Sequence, residues 1–187
     1  MVLTPQIDGT VAIQSSSLEF AQAFKQRVTA GLLTGHPHPR SNYQVVDAGS
    51  DQLRVHAADW RTAISVGLNE LELWFPQPGS VRYRVEYWRW AWYAIGLSGI
   101  CGLIGLLLIV TLDVRGYIAS HSSAQVPGLS IDQSFLAAWL MVLFWGFVWP
   151  WLLIALHKHP LRRLVTRLIG EVDARGTSSW ERQPTAP

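Results

Sequence analysis

The chain has 187 residues, a formal net charge of +2, and 49% hydrophobic residues. This length allows one small domain and a membrane anchor. Residues 1–89 contain eight basic and eight acidic side chains, which argues against nucleic-acid binding, because that activity needs a basic face. The single cysteine, Cys101, excludes a disulfide within these residues and a multi-cysteine metal site.

Residues 1–88 show the patterns of an α+β domain. Apolar residues at 7, 11 and 13 suggest a first strand. Ser16 followed by Glu19 fits a capping box, and a helix should run from there to about Leu33. Its buried side repeats every four residues and holds Phe20, Phe24, Val28 and Leu32.

Further strands are expected at 43–48, 52–57, 70–75 and 81–87, with a weaker one at 60–66. Strict apolar–polar alternation predicts a mainly antiparallel sheet with one covered face, and the helix supplies the cover. Two registers of the last two strands keep their apolar residues on one face. We favour the register that pairs Glu72 with Arg82 and Glu70 with Arg84, because the other places Glu70 opposite Glu86. It leaves 86–88 as a short extended arm into the next segment.

Two uncharged apolar runs follow, at about 91–112 and 135–156. Each holds 22 residues, or ~33 Å as a helix, enough to cross a bilayer core. We therefore expect a transmembrane hairpin over 89–157, with a connector at 113–134. Seven basic residues flank the runs and only Arg115 lies in the connector, so both termini should be cytoplasmic. Residues 1–17 lack a signal-peptide core, which agrees with an inner, or cytoplasmic, multi-pass membrane protein.

The two runs offer different packing surfaces. The first carries small residues that let helices approach closely, and these are Ala94, Ser98, Gly99, Gly102 and Gly105. They should pack against the second run or against another subunit. The second run is aromatic, and its candidate contacts with a partner or with lipid are Trp139, Trp145, Trp149 and Trp151. Pro150 should disturb the helix near Gly146.

Residues 158–175 predict an amphipathic helix, with Pro160 in its first turn and an apolar stripe from Leu161 to Val172. We expect it to lie on the inner membrane surface, although packing on the chain's own soluble domain fits the same stripe. Its expected anionic-lipid contacts are Lys158, Arg162, Arg163 and Arg167. Residues 176–187 are rich in Thr, Ser and Pro and should form a disordered tail.

No catalytic motif is present, and neither run contains an ionisable side chain, so we predict no enzyme activity, no cofactor and no transport by this chain alone. The pairs His36–His38 and His157–His159 are weak grounds for a metal site. The leading hypothesis is an accessory or scaffold subunit of an inner-membrane assembly, whose partners are lipids and another membrane protein or a second copy. The alternatives are a membrane-tethered binding or sensing domain for a small apolar ligand or lipid, and, less favoured, a lipid-modifying enzyme.

Overall fold

The computed structural model describes residues 4–32, 43–48 and 52–180. They divide into two compact units. One is Ala91–Leu156, and the other joins the described parts of Val2–Trp90 and His157–Pro187. The stretch after His157, expected to be a separate interfacial segment, thus belongs to the same unit as the N-terminal residues. We call this unit the soluble unit and Ala91–Leu156 the helical unit.

Five strands build the sheet of the soluble unit, all paired antiparallel. They are β1 (Gln6–Ala12), β2 (Tyr43–Ala48), β3 (Gln52–Ala57), β4 (Glu70–Gln77) and β5 (Ser80–Glu86). Their order across the sheet is β1-β5-β4-β3-β2, so the first strand lies beside the last. The predicted antiparallel sheet is confirmed.

The helix after β1 follows its sequence signals closely. Helix α1 covers Ser17–Gly31, and the Ser16 hydroxyl accepts from the Glu19 amide while the Glu19 carboxylate accepts from the Ser16 amide. This reciprocal capping box satisfies two backbone donors that a helix start leaves unpaired. Its four predicted core residues are 0–2% exposed, and these are Phe20, Phe24, Val28 and Leu32.

The segment 60–66, predicted as a weak strand, is instead helix α2 (Trp60–Val66). Asp59 caps its start, because the Asp59 carboxylate accepts a 2.7 Å hydrogen bond from the Thr62 amide and also accepts from the Thr62 hydroxyl. Gly67 ends it in the left-handed conformation, with φ +73°, and donates its amide to the Ala63 carbonyl. Local capping at both ends therefore outweighs the weak strand pattern.

The predicted register of β4 on β5 is wrong, and so is the short extended arm. Glu70 lies opposite Glu86, and Glu72 lies opposite Arg84. The hairpin closes through two residues between Gln77 and Ser80, with Gly79 at φ +78°, and β4 carries a bulge between Trp74 and Gln77.

Charge neutralisation across the whole sheet explains how this register tolerates two facing carboxylates. Arg54 on β3 forms ion pairs with both Glu70 and Glu72, its Nε lying 3.1 Å from Glu70 Oε1. Arg84 in turn binds Asp8 on β1 at 2.8 Å. The charges of β4 and β5 alone favour the other register, because the counter-charges lie on the neighbouring strands β3 and β1.

Beyond β5 the chain is mainly helical. The helices are α3 (Trp88–Thr111), α4 (Val114–Ser120), α5 (Ile131–Leu143) and α6 (Trp149–Trp180), with a short 3-10 turn at Ser122–Ala124. A π-helical turn, Phe144–Val148, joins α5 to α6. Among the residues that the structure describes, two helical stretches, Trp88–Thr111 and Ile131–Arg175, are long and apolar enough to cross a membrane.

Helix α6 differs from expectation at two places. It passes through Pro160 without a break, whereas the sequence suggested that a new helix starts there. It also includes residues 176–180, which were expected in the disordered tail, while 181–187 lie outside the described residues.

The apolar stripe of α6 is buried inside the soluble unit. Its members are 0–4% exposed, and these are Leu161, Val165, Leu168, Ile169 and Val172. Polar contacts fix the same stretch, because Asp173 accepts hydrogen bonds from the Gln14 and Ser15 amides and from the Ser15 hydroxyl, and Glu171 lies 3.6 Å from Arg27. The expectation that this stripe dips into a membrane surface therefore gives way to the alternative, packing on the chain's own domain.

Candidate functional site

The two long apolar helices touch where two glycines meet. A methyl group built on Gly102 would lie 2.7 Å from the Gly146 Cα, and one built on Gly105 would lie 2.9 Å from a Val142 methyl. Only residues without a side chain allow backbones this close. Gly102 and Gly105 therefore pack against the second helix of the same chain.

The other small residues of α3 lie differently. Ala94 is buried and Ser98 is half-buried. Gly99 has nothing within 4 Å of a built methyl group, and the same holds for Gly96. The predicted small-residue face thus divides into a part closed by the chain itself and a part left open.

Pro150 explains the π turn on the opposite helix. Proline has no amide hydrogen, so the carbonyl four residues earlier, on Gly146, loses its normal donor, and the ring would also collide with it. The ladder shifts by one residue, and the Trp149 amide donates to the Phe144 carbonyl. The disturbance expected near Gly146 thus takes the form of this turn.

A partly exposed aromatic group, which we call the aromatic cluster, surrounds the π turn and consists of Phe144 and Trp145, which are exposed, and Trp149, which is half-buried. The rings of Trp145 and Trp149 have centroids 4.5 Å apart, and Phe144 lies 5.9 Å and 6.1 Å from them. Trp145 is 47% exposed, yet its indole N–H is satisfied, because it donates to the Met141 sulfur at 2.9 Å. The cluster thus presents flat apolar rings with no unpaired indole donor at Trp145. Sequence reasoning missed Met141, although its i,i+4 spacing on a helix was readable.

The two other predicted tryptophan contacts lie outside this cluster. Trp139 is half-buried and packs edge-on against Phe135, with centroids 6.5 Å apart. Trp151 is exposed. Neither joins the three rings at the π turn.

A second notable group lies in the soluble unit, around His157. Its ring stacks on Trp90 with centroids 4.1 Å apart and packs against Tyr87 at 5.4 Å. The same ring fills the space beside Gly67, where a built methyl group would collide with it. Burial lowers the pKa of His157, and a hydrogen bond with the Gly67 backbone partly offsets this shift, so the neutral ring is favoured.

Asn69 completes this group by capping the start of α3. With the amide oriented to suit its donors, the Asn69 side-chain oxygen accepts from the backbone amides of Trp88 at 3.2 Å and Arg89 at 2.7 Å. The side chain is 4% exposed, and it satisfies two of the donors that a helix start leaves open. The sequence argument did not single out Asn69, because its position before a strand gave no cap signal.

The metal site considered for the two histidine pairs lies only partly within the described residues. His36 and His38 lie outside the described residues. Within the described ranges, no three His, Cys, Asp or Glu side chains lie close enough to hold a metal ion.

The four basic residues expected to contact anionic lipid differ in their surroundings. Arg162 is engaged in the soluble unit, where it donates to the Asp8 carbonyl at 3.3 Å and reaches the Tyr83 hydroxyl. Lys158 is half-buried. Arg163 and Arg167 are exposed on the outer side of α6.

Comparison with known proteins adds no assignment. No protein family, no curated protein and no solved structure matches this chain. Any function must therefore be argued from the surfaces described above.

Proposed function

We propose that this chain is a non-enzymatic accessory or scaffold subunit of a larger inner-membrane protein assembly. In this proposal α3 and the helix from Ile131 onward cross the membrane as a hairpin, and both termini are cytoplasmic. The observation that carries the proposal is the aromatic cluster at the π turn, in which Phe144 and Trp145 are exposed.

The cluster suits a protein partner because its rings are not needed for the association of the two helices. The close contact within the helix pair uses Gly102 and Gly146, so association of the two helices does not require the aromatic rings. Trp145 already donates its N–H to Met141, so the ring needs no water or headgroup. A flat, polarizable surface of this kind gains dispersion energy against a closely packed helix. π turns interrupt the regular hydrogen bonding of an α-helix, and they are frequent at functional positions.

Co-purification tests the assembly. The full chain, tagged and expressed in its source cells, is extracted in mild detergent and analysed by size and mass. We expect a complex larger than the chain, reduced by Trp145→Leu and kept by the matched control Trp92→Leu, whose ring is 64% exposed on α3 outside the cluster. Recovery of the chain alone, or equal effects of both substitutions, would refute the proposal.

Cysteine labelling in a Cys101→Ser background tests the orientation. The sequence asymmetry of basic residues predicts that Ser123→Cys, in the connector, reacts with an impermeant reagent from outside intact cells. Leu18→Cys, where the native side chain is 68% exposed on α1, should react only after lysis. The reverse pattern would overturn the topology without touching the co-purification result.

A ligand-binding role is the second candidate, and one surface favours it. The space between the helices and the sheet is filled, since Phe20, Phe24, Leu73 and Tyr83 are 0–1% exposed. The uncovered face of the sheet, however, carries an open depression of about 520 Å³. Its lining combines aromatic and cationic groups, namely Trp74, Phe75, Pro76, Arg82 and Arg84.

This lining suits a small aromatic anion, because its exposed cation Arg82 lies opposite Trp74, over whose ring the Arg84 guanidinium lies at 5.5 Å. A thermal-shift screen of the full chain with aromatic carboxylates tests the idea. We expect stabilisation that Trp74→Leu abolishes. No stabilisation by any such compound, or stabilisation unaffected by Trp74→Leu, would remove this candidate.

A further inference from the structure

One face of helix α6 remains uncovered after the helix packs within the soluble unit. Its apolar stripe is buried, and Asp173 holds its later turns to the loop before α1. A membrane can therefore meet this helix only through its polar face. That face begins directly after Leu156, where the expected second span ends.

Two arginines on the polar face lack partners within the described ranges. Arg163 and Arg167 are exposed, and their side chains form no ion pair or hydrogen bond there. They lie four residues apart, which places them on one side of the helix about 6 Å from each other. The acid one turn further on, Glu171, is directed instead to Arg27 at 3.6 Å. Arg54 and Arg84 of the same unit, by contrast, are paired with carboxylates.

The two arginines also share a concave surface. With neighbouring residues of the same helix they line an open depression of about 850 Å³. Its lining consists of His159, Pro160, Arg163, Leu164, Thr166 and Arg167. Pro160 and Leu164 give it an apolar part beside the two cations, which matches a ligand with a charged head and an apolar stem.

We propose that this depression binds the phosphate-bearing headgroup of an anionic phospholipid in the cytoplasmic leaflet. Guanidinium groups pair with phosphate oxygens through two parallel hydrogen bonds. Two arginines on one side of a helix can therefore bind the same phosphate group. The short distance in sequence from the expected span, three residues to His159, favours a lipid over a soluble acidic protein. The proposal rests on the membrane topology given above but not on the existence of a protein partner.

Lipid titration of the purified full chain tests this proposal. The chain in neutral detergent is titrated with short-chain phosphatidylglycerol, short-chain phosphatidylcholine or inorganic phosphate, and bound species are counted by native mass spectrometry. Each basic residue near an anionic surface contributes about 1 kcal/mol, or roughly fivefold in affinity. We expect Arg163→Gln with Arg167→Gln to weaken phosphatidylglycerol binding by about 10- to 25-fold and to leave phosphatidylcholine binding unchanged.

Two controls separate the site from general charge and from misfolding. Lys25→Gln with Arg61→Gln removes two cations elsewhere in the soluble unit and should weaken binding less than twofold. Arg163→Lys with Arg167→Lys keeps the charge but loses the paired hydrogen bonds, so it should weaken binding, but by less than the Gln pair does. A circular-dichroism melt of each variant shows whether the fold survives.

Three outcomes would overturn the proposal. They are no preference of the wild type for phosphatidylglycerol, an equal loss with the Lys25 and Arg61 control pair, and inorganic phosphate binding as tightly as the lipid, which would make a free anion the ligand. Because only the isolated chain is used, failure here leaves the co-purification test of the scaffold function intact.

Discussion

A single methyl group at Gly102 should separate the two long apolar helices. In Gly102→Ala the new carbon would lie 2.7 Å from the Gly146 Cα, which is backbone and has no rotamer to move. Ordinary carbon contacts are ~3.5–4.0 Å, so the helices must part by about 1 Å at this point. Neighbouring contacts, such as Gly105 on Val142, would loosen with it.

Core overpacking of this kind costs about 1–3 kcal/mol. Against it stands the better helix propensity of alanine, worth at most about 1 kcal/mol. We therefore expect a net destabilisation of up to about 2 kcal/mol, measured as a lower midpoint of thermal unfolding in detergent. Because the soluble unit does not contain this contact, the loss should be seen in the unfolding of the helical unit.

The same helix offers a matched control. Gly99→Ala adds the identical methyl group three residues earlier, where nothing lies within 4 Å, so it should be neutral or slightly stabilising. A double-mutant cycle with Gly146→Ala sharpens the test, because the second methyl should cost less once the first has parted the helices. Equal effects of Gly102→Ala and Gly99→Ala, or strict additivity in the cycle, would refute the close contact.

Three further predictions concern the soluble unit. Asn69→Ala should lower the free energy of unfolding by about 1–2 kcal/mol through loss of the cap on α3, and Asn69→Asp, which keeps an acceptor, should restore much of it in urea unfolding. Burial would raise the pKa of Asp173, but hydrogen bonds from Ser15 and its neighbour lower it, so Asp173 should stabilise the fold above about pH 4 and lose this contribution as pH falls further. Asp173→Asn should remove that acid dependence, and an unchanged pH–stability curve would contradict the contact. Burial and the facing Glu70 raise the pKa of Glu86, so Glu86→Gln should stabilise the protein by about 0.2–1 kcal/mol at pH 7. In paired melts the gain should vanish as the pH falls below about 4, the ordinary glutamate pKa, where Glu86 is protonated in the folded and the unfolded state.

The features predicted correctly from the sequence are those decided within a few residues. The capping box at Ser16 and Glu19 needs only a spacing of three, and alternation along β3 or β5 needs only a period of two. Helix α2 was within the same reach, because Asp59 followed by Thr62 is a helix-start signal. It was missed because the sequence argument gave more weight to apolar content than to the cap.

The strand register required information from beyond the pair. Within β4 and β5 alone, pairing Glu70 with Arg84 has the better charges. In the fold, Arg84 belongs to Asp8 and Glu70 belongs to Arg54, and both partners lie on other strands. Strand order had to be known first, and the return of β1 to the side of β5 leaves no mark in local sequence.

The candidate contacts of the helical unit divide in the same way. The disturbance near Gly146 follows from Pro150 by a rule that holds for any helix. The sequence did not predict which glycines the second helix covers. The rotation of the second helix about the first decides whether it covers Gly99 or Gly102. That rotation is set by the meeting of Gly102 with Gly146, which no periodicity in either segment encodes.

The position of one carboxylate could have predicted that the C-terminal helix packs on a protein surface and not on a membrane surface. An apolar stripe gains similar free energy from a membrane surface and from a protein core, about 1.5–3 kcal/mol for each large side chain, so periodicity could not choose between them. Asp173 could, because it directly follows the buried Val172 at the margin of the stripe. At a membrane such a carboxylate would enter the acyl boundary without donors and at high cost. In the fold it receives hydrogen bonds from two amides and a hydroxyl in the loop before α1. A charged group at the edge of an amphipathic stripe therefore favours a protein surface over a lipid one, and the opposite, arginine-bearing face of α6 stays exposed.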